Sequence, residues 1–303
     1  NKEQSLLFLN RRGTARIIFC NSCGWELMCE HCNLPMTYHG DKHQLICHSC
    51  GRIDKKIPNF CPSCKKESLV YSSAGTKAIT EEVMKLFPGA KIARYDTDNT
   101  KDESIEKNIE AIRDGHVDII IGTQILAKGL DLPKLTTLGI INADTTMYIP
   151  DFSSEERTFQ IIAQVLGRIN RGHSKGQAVI QTYNPENKIF RYAINQDYED
   201  FYNEEIDRRQ KYRLPPFYNM LKVSILKKSP LASQKASNNL VSSIRDNYNN
   251  IIIEGPSPAF HEKHGELYEW IIVVKSTSRN TLTSIIKSLP SGTRYDIDPI
   301  NLL

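Results

Sequence analysis

The sequence predicts an α/β protein with a mainly parallel sheet, interrupted by an all-cysteine metal module and followed by a smaller α+β domain. Three observations carry that expectation. Short apolar strands alternate with helical stretches over residues 68–185, the pattern of a sheet covered by helices. All eight cysteines fall between Cys20 and Cys64, in four Cys-x-x-Cys pairs. Beyond residue 196 the elements read β-α-β-β-α-β.

In chain order, Ser5–Leu9 reads as a buried strand almost at the first residue, suggesting a piece of a longer protein. Asn10-Arg11-Arg12-Gly13 is a basic turn, and Ala15–Phe19 is a second apolar run leading into the cysteines. The pairs are Cys20/Cys23, Cys29/Cys32, Cys47/Cys50 and Cys61/Cys64. Two residues between thiolates let both sulfurs face one metal, and two such knuckles close a tetrahedral zinc site with Zn–S bonds of about 2.3 Å. Four knuckles imply two Zn2+ ions without an open coordination position, so their role is structural. Three pairings of knuckles exist. Only five residues separate Cys23 from Cys29, whereas fourteen separate Cys32 from Cys47, enough for a hairpin. A nested arrangement is favoured: Cys20, Cys23, Cys61 and Cys64 on one zinc, Cys29, Cys32, Cys47 and Cys50 on the other. A disulfide framework fits less well, because no secretory signal precedes the cysteines. Eight thiolates fill two sites, which leaves His31 and His48 as packing or surface residues.

Val70–Ser73 is short and extended. Gly75-Thr76-Lys77 opens a helix on Ile79, Val83, Leu86 and Phe87, stopped by Pro88-Gly89. A strand over Lys91–Tyr95 and an amphipathic helix over Asp102–Asp114 follow. Val117–Gly122 and Thr136–Asn142 are near-continuous apolar strands, as in a sheet buried on both faces. Ser154–Arg171 reads as one long helix capped by Ser153 or Ser154. Gln177–Tyr183 is a further strand. Asp197–Asp207 then carries six acids and no base, and Arg208–Lys228 seven bases and no acid, marking a boundary. The remaining elements are Met220–Leu226, Leu231–Tyr248, Ile251–Glu254, Tyr268–Lys275, Arg279–Leu289 and Arg294–Ile297, in the ferredoxin-like order. That scaffold is too common to indicate function. The expected division is 1–18 and 68–195 for the α/β domain, 19–67 for the zinc insertion and 196–303 for the C-terminal domain.

The formal charge of +4 is cancelled by eight thiolates holding two divalent zincs, so global charge gives no argument for nucleic acid. No apolar run approaches the 18 residues of a membrane span, and no targeting segment is evident; a cytoplasmic protein without membrane association is expected. No Gly-x-x-x-x-Gly-Lys-Ser/Thr loop occurs, so this chain would hold only half of a nucleotide site.

Three stretches could carry chemistry. At about 100° per residue, Gln164, Arg168 and Arg171 fall on one polar helix face, opposite Phe159, Ile162, Ala163 and Leu166. That is either a solvated face or a row of guanidinium forks suited to a transferring phosphoryl group. Gly122-Thr123-Gln124 and Lys128-Gly129-Leu130-Asp131 follow a parallel strand at its C-terminal end, where such sheets bind ligands, although a structural turn explains them equally well. Arg208–Lys228, with Tyr212, Phe217 and Tyr218 interleaved, suits either a phosphate track with stacking or a packed linker.

The order of these pieces resembles one family. Phe8-Leu9-Asn10-Arg11-Arg12-Gly13, the four-knuckle insert, Ile121-Gly122-Thr123-Gln124 with Ala127-Lys128-Gly129-Leu130-Asp131, and Gln164-Val165-Leu166-Gly167-Arg168 with Arg171 look like motifs IV, V and VI of a superfamily 2 helicase. The zinc insert between motifs IV and V is similar to that of the PriA family. So are Arg213-Leu214-Pro215-Pro216-Phe217, Gly255-Pro256, Trp270 and Asp296-Ile297-Asp298-Pro299. This chain carries Leu166, Ile169 and Asn170 where the family usually has small residues, and Glu266 and Glu269 where it is often richer in arginine.

The resemblance implies the C-terminal part of an ATP-dependent 3′–5′ DNA helicase, with this α/β domain as its RecA-like second lobe. Such a protein recognises stalled or branched forks and starts primosome assembly for replication restart. The Walker-bearing lobe would precede residue 1, and this chain alone would not hydrolyse ATP. By carry-over, Arg168 and Arg171 would face the γ-phosphate of ATP with Mg2+, beside Gln164. Gly129 and Asp131 would couple nucleotide to DNA movement. Thr123, Lys128, Arg11 and Arg12 would lie on the DNA side. Implied partners are forked DNA, single-stranded DNA-binding protein, and primosome and replicative-helicase loading proteins in a bacterial, nucleoid-associated setting. The competing expectation is a non-enzymatic zinc-ribbon DNA-binding adaptor with a degenerate lobe.

Overall fold

The computed structural model describes residues 3–9, 18–23, 25, 27–30, 36–39, 43–47, 51–54, 56–70, 76–95, 105–123, 132–147, 149, 151–169 and 176–302. The chain opens on β1 (Gln4–Leu9), then passes through five short strands of the cysteine module. These are β2 (Phe19–Cys20), β3 (Thr37–His39), β4 (Gln44–Ile46), β5 (Ile53–Asp54) and β6 (Leu69–Val70). It returns as α1 (Thr76–Leu86), β7 (Ile92–Tyr95), α2 (Ile105–Arg113), β8 (Ile119–Gly122) and β9 (Leu135–Ile141). A 3-10 turn at Ala143–Thr146 leads to α3 (Ser154–Leu166), β10 (Gln177–Ile180), α4 (Lys188–Asn195) and α5 (Tyr198–Lys211).

The main sheet has the order β10-β9-β1-β8-β7, and every pairing in it is parallel. The first strand in sequence is therefore the central one, which is why it lacks an apolar–polar alternation: both of its faces are covered. Leu6 and Phe8 point into a core with Ile120, Leu138, Ile140, Phe159, Ile162 and Val165. Leu9 and Leu7 pack on the other face with Val83, Ile119 and Ile121.

Helix α3 is shorter than the sequence predicts. It stops at Leu166, not Arg171. The Gly167 N–H still bonds the Ala163 carbonyl, but the Arg168 and Ile169 N–H groups reach back only three residues, to Val165 and Leu166. The last turn thus tightens into 3-10 geometry. Ile169 turns into the core, and Leu166 packs partly buried against it, so the sheet accommodates both large side chains. At the other end Ser153 holds the cap position without capping; its hydroxyl bonds Asp151, while Ser154 Oγ donates to the Ile149 carbonyl.

The acidic helix α5 sits in this same core. Phe201 stacks on Phe159 with ring centroids 4.1 Å apart and planes within 3°. Helix α5 therefore packs on the lobe through Phe201, while most of its acids face solvent.

The C-terminal domain comprises β11 (Asn219–Lys227), α6 (Pro230–Asn247), β12 (Ile252–His264), β13 (Leu267–Ser276), α7 (Arg279–Ser288) and β14 (Arg294–Ile297). Its sheet runs β12-β13-β11-β14, all antiparallel, as the ferredoxin-like order requires. Leu221, Val223 and Ile225 face α6 and α7 through Leu240, Ile244, Leu282 and Ile285. Strand β12 extends far beyond Glu254, because a bulge at Gly255 (φ 88°) carries the strand past the Gly-Pro break. Glu269 is engaged by His264 Nε2 at 2.7 Å.

The two domains are fastened together. Phe152, Leu214, Met220 and Val273 form a shared apolar cluster with Leu302 packed against it. The Leu302 N–H donates to Asp151 Oδ2 at 2.7 Å, and Arg157 Nη2 donates to the Ile300 carbonyl at 2.9 Å. Within α5, Glu205, 7% exposed, accepts from Arg208 Nε and Nη2 at 2.9 and 2.8 Å and from Arg209 Nε at 2.6 Å. Arg209 also holds Glu156 (2.6 Å) and the Pro215 carbonyl (3.1 Å), and Arg208 holds the Phe152 carbonyl (2.8 Å). Of the two readings of Arg208–Lys228, the structure favours the packed linker for its first two arginines.

Candidate functional site

The outer cysteines come together as the nested arrangement requires. Cys20 ends β2, which pairs antiparallel with β6 so that Cys20 lies opposite Leu69. That pairing brings the chain ends of the module together and presents the Cys61/Cys64 turn to the Cys20/Cys23 turn. The Sγ atoms of Cys20 and Cys64, and those of Cys23 and Cys61, are 3.6 Å apart, and all four lie within 4.8 Å of one another. A tetrahedral metal with arms of about 2.3 Å separates its sulfurs by roughly 3.8 Å, so the quartet fits such an ion without rearrangement. The knuckle turns are closed by backbone bonds, Lys65 N–H to the Cys61 carbonyl (2.9 Å) and Cys61 N–H to the Lys66 carbonyl (3.0 Å).

Local polarity prepares the site unevenly. Ser68 Oγ lies 3.3 Å from Cys20 Sγ, and the Ser22 N–H donates to the same sulfur at 3.4 Å. Chiefly through Ser68, the Cys20 thiol is lowered to about 6. Cys64 is raised to about 11: the Lys66 backbone N–H lowers it, but desolvation and the neighbouring Cys20, Cys61 and Cys23 sulfurs outweigh that bond. Four sulfurs at this spacing cannot all be thiolates without a cation, and a divalent ion supplies that charge. Sulfur-only, tetrahedral donors suit zinc or iron. Ser68 was not evident from sequence, because its role depends on the β2–β6 pairing.

Of the inner set, Cys29 and Cys47 are both buried in one cluster with Ile18, Met36 and Leu45. Arg52 Nη1 pairs with Glu30 Oε2 at 2.7 Å, tying the two knuckle segments together. Cys32 and Cys50 lie outside the described residues.

The helicase-type residues divide similarly. Gln164 is exposed near the end of α3, whereas Arg168 is 8% exposed in the turn beyond it. They do not share one exposed face, because the helix ends between them. Thr123 directly follows β8; its N–H bonds the Tyr95 carbonyl at 3.2 Å and it is 7% exposed. Phe8 and Gly122 are in register, so β1 and β8 end side by side. Arg11, Arg12, Lys128, Gly129, Asp131 and Arg171 lie outside the described residues.

Residues 41–173 match the family of the helicase conserved C-terminal domain. The replication restart protein PriA of Bacillus subtilis is 34% identical over 98% of this chain, and that of Borreliella burgdorferi 37% identical over 100%. The Haemophilus influenzae protein of the same name is 36% identical over 94%. This chain corresponds to a C-terminal portion of the PriA family. It spans 37%, 47% and 39% of the lengths of those three relatives, less than half of each. A solved C-terminal domain of the DEAD-box protein Dbp5 aligns at a TM-score of 0.33 with 13% identity, covering 69% of this chain and 82% of that one, too distant to argue from. The five-stranded parallel sheet resembles a RecA-like helicase lobe, and the cysteine module follows its central strand in the chain. No helix among the described residues is long and apolar enough to cross a membrane.

Proposed function

We propose that this chain is the second motor lobe, zinc module and C-terminal domain of a 3′–5′ DNA helicase that engages branched forks and initiates primosome assembly. The observation that carries the reading is the cysteine quartet standing at metal-binding spacing within a PriA-type helicase lobe. Arg168 and Arg171 act on the γ-phosphate of ATP–Mg2+ held by a first lobe, with Gln164 beside them. Gly129 and Asp131 relay nucleotide state, and Thr123, Lys128, Arg11 and Arg12 line the DNA path. Cys20, Cys23, Cys61 and Cys64 hold one zinc, and Cys29, Cys32, Cys47 and Cys50 a second, both structural. The partners are forked DNA, single-stranded DNA-binding protein and helicase-loading proteins, in the bacterial cytoplasm at the nucleoid.

The adaptor reading has one observation in its favour, the burial of Arg168 away from the exposed face of Gln164. An unwinding assay separates the two. A protein joining this chain to its first lobe opens a forked duplex with ATP if it is a helicase. Fork binding without ATP-dependent strand separation supports the adaptor.

A further inference from the structure

The inner knuckle touches the C-terminal domain. Gly51 follows Cys50 in sequence, and its N–H bonds the Cys47 carbonyl at 2.9 Å while the Cys47 N–H bonds the Arg52 carbonyl at 2.9 Å. Gly51 has φ 79°, a conformation that glycine adopts without cost. The backbone there lies against β12: a Cβ at Gly51 would stand 2.9 Å from the Pro256 carbonyl oxygen and 3.3 Å from Ser257 Cβ. Ser257 is fully buried. The surface that receives the knuckle is itself an irregularity. β12 shifts register between Glu254 and Ser257, around Gly255. A regular strand would not carry the Pro256 carbonyl in this way.

We infer that the Gly51 turn of the inner cysteine set docks on the Gly255–Ser257 bulge, so that metal retention in this set and the order of the C-terminal sheet edge are coupled. The inference rests on the two-zinc reading above. Three links support the coupling. Cys47 is buried beside Cys29, so the knuckle is part of the module core and not a loose tip. Arg52, next to Gly51, is paired to Glu30 beside Cys29, so movement of the turn is felt by both knuckle segments. β12 pairs with β13, whose Val273 enters the apolar cluster joining the C-terminal domain to the lobe. Phe19 of the module packs on Tyr183 of the lobe with ring centroids 4.4 Å apart, so metal module, sheet edge and lobe form a closed loop of contacts. Coupling between two sites acts equally in both directions. A change on the β12 side must alter metal retention, and a change in the knuckle must alter protection of β12.

The test uses Ser257→Val, which lies outside the cysteine module and leaves all eight thiols in place. Zinc release to a chromogenic chelator is followed in the zinc-loaded protein. One of the two zincs is expected to leave about tenfold faster, the other at the wild-type rate. Gly51→Ala provides the reciprocal arm: hydrogen exchange at Ile252–Glu254 rises by a similar factor, with circular dichroism showing an intact fold. Unchanged release in Ser257→Val together with unchanged exchange in folded Gly51→Ala overturns the inference. If Ser257→Val does not fold, the exchange arm decides alone. A wild type that binds only one zinc removes the two-zinc reading itself and the coupling with it. Two bound zincs with indifferent release leave that reading intact and remove only the coupling.

Discussion

Replacing Glu205 by alanine tests how α5 is held on α3. The carboxylate is nearly inaccessible and accepts three bonds from two arginines whose side chains are 23% and 13% exposed. Removing it leaves Arg208 with Glu155 at 3.3 Å and Arg209 with Glu156 at 2.6 Å. Breaking a buried ion pair by removing one partner costs about 3–5 kcal/mol. The surviving carboxylates place this case at the low end, about 3 kcal/mol. At roughly 2–4 °C per kcal/mol for a body of this size, the thermal midpoint falls by about 6–12 °C. Chemical and thermal unfolding measure this directly. Glu205→Leu with Arg208→Met and Arg209→Met, an apolar replacement of the triad, recovers most of the loss. A loss below about 1 kcal/mol for Glu205→Ala, the range of exposed pairs, refutes the structural role of the triad and returns its arginines to the DNA-binding reading.

Other outcomes follow from the same packing. Phe201→Ala removes the ring stacked on Phe159 and destabilises the lobe by about 3–5 kcal/mol in urea unfolding; a loss confined to the C-terminal domain contradicts the placement of α5. Metal analysis finds two zincs per chain, and Cys61→Ala retains one. Burial raises the Asp144 carboxyl above its ordinary value, although Thr182 and the Tyr183 N–H bond it. A raised folded-state value means that the folded protein keeps this proton to higher pH than the unfolded chain. The stability of the wild type, measured against Asp144→Asn, therefore rises as pH falls through the folded value toward the ordinary carboxylate range. A difference flat across that window counts against the assignment.

Much of the architecture was legible because it rests on local pattern. The cysteine spacing, the near-continuous apolar strands and the β-α-β-β-α-β order each depend on neighbours in sequence. What escaped depends on distance or on small backbone changes. The end of α3 was missed because Ile169 continues the apolar spacing of Val165, and periodicity does not distinguish a final 3-10 turn from more helix. The length of β12 was missed because Gly255-Pro256 reads as a break, whereas a bulge passes it. The packing of α5 on α3 is not legible, because six acids dominate its composition while Phe201 meets a ring far upstream. The duty of Arg208 and Arg209 was ambiguous because two of their carboxylates, Glu155 and Glu156, lie on another helix far upstream.

If this lobe completes an ATPase site, as proposed, its arginines control turnover. The most direct measurement is DNA-stimulated ATP hydrolysis in the protein that joins this chain to its first lobe, comparing wild type with Arg168→Ala and Arg171→Ala. Zinc content and thermal midpoint verify that each variant is folded. A loss of about 10³-fold or more in turnover is expected, as for arginines that stabilise a transferring phosphoryl group. Unchanged turnover in both folded variants contradicts a role for these arginines at the γ-phosphate.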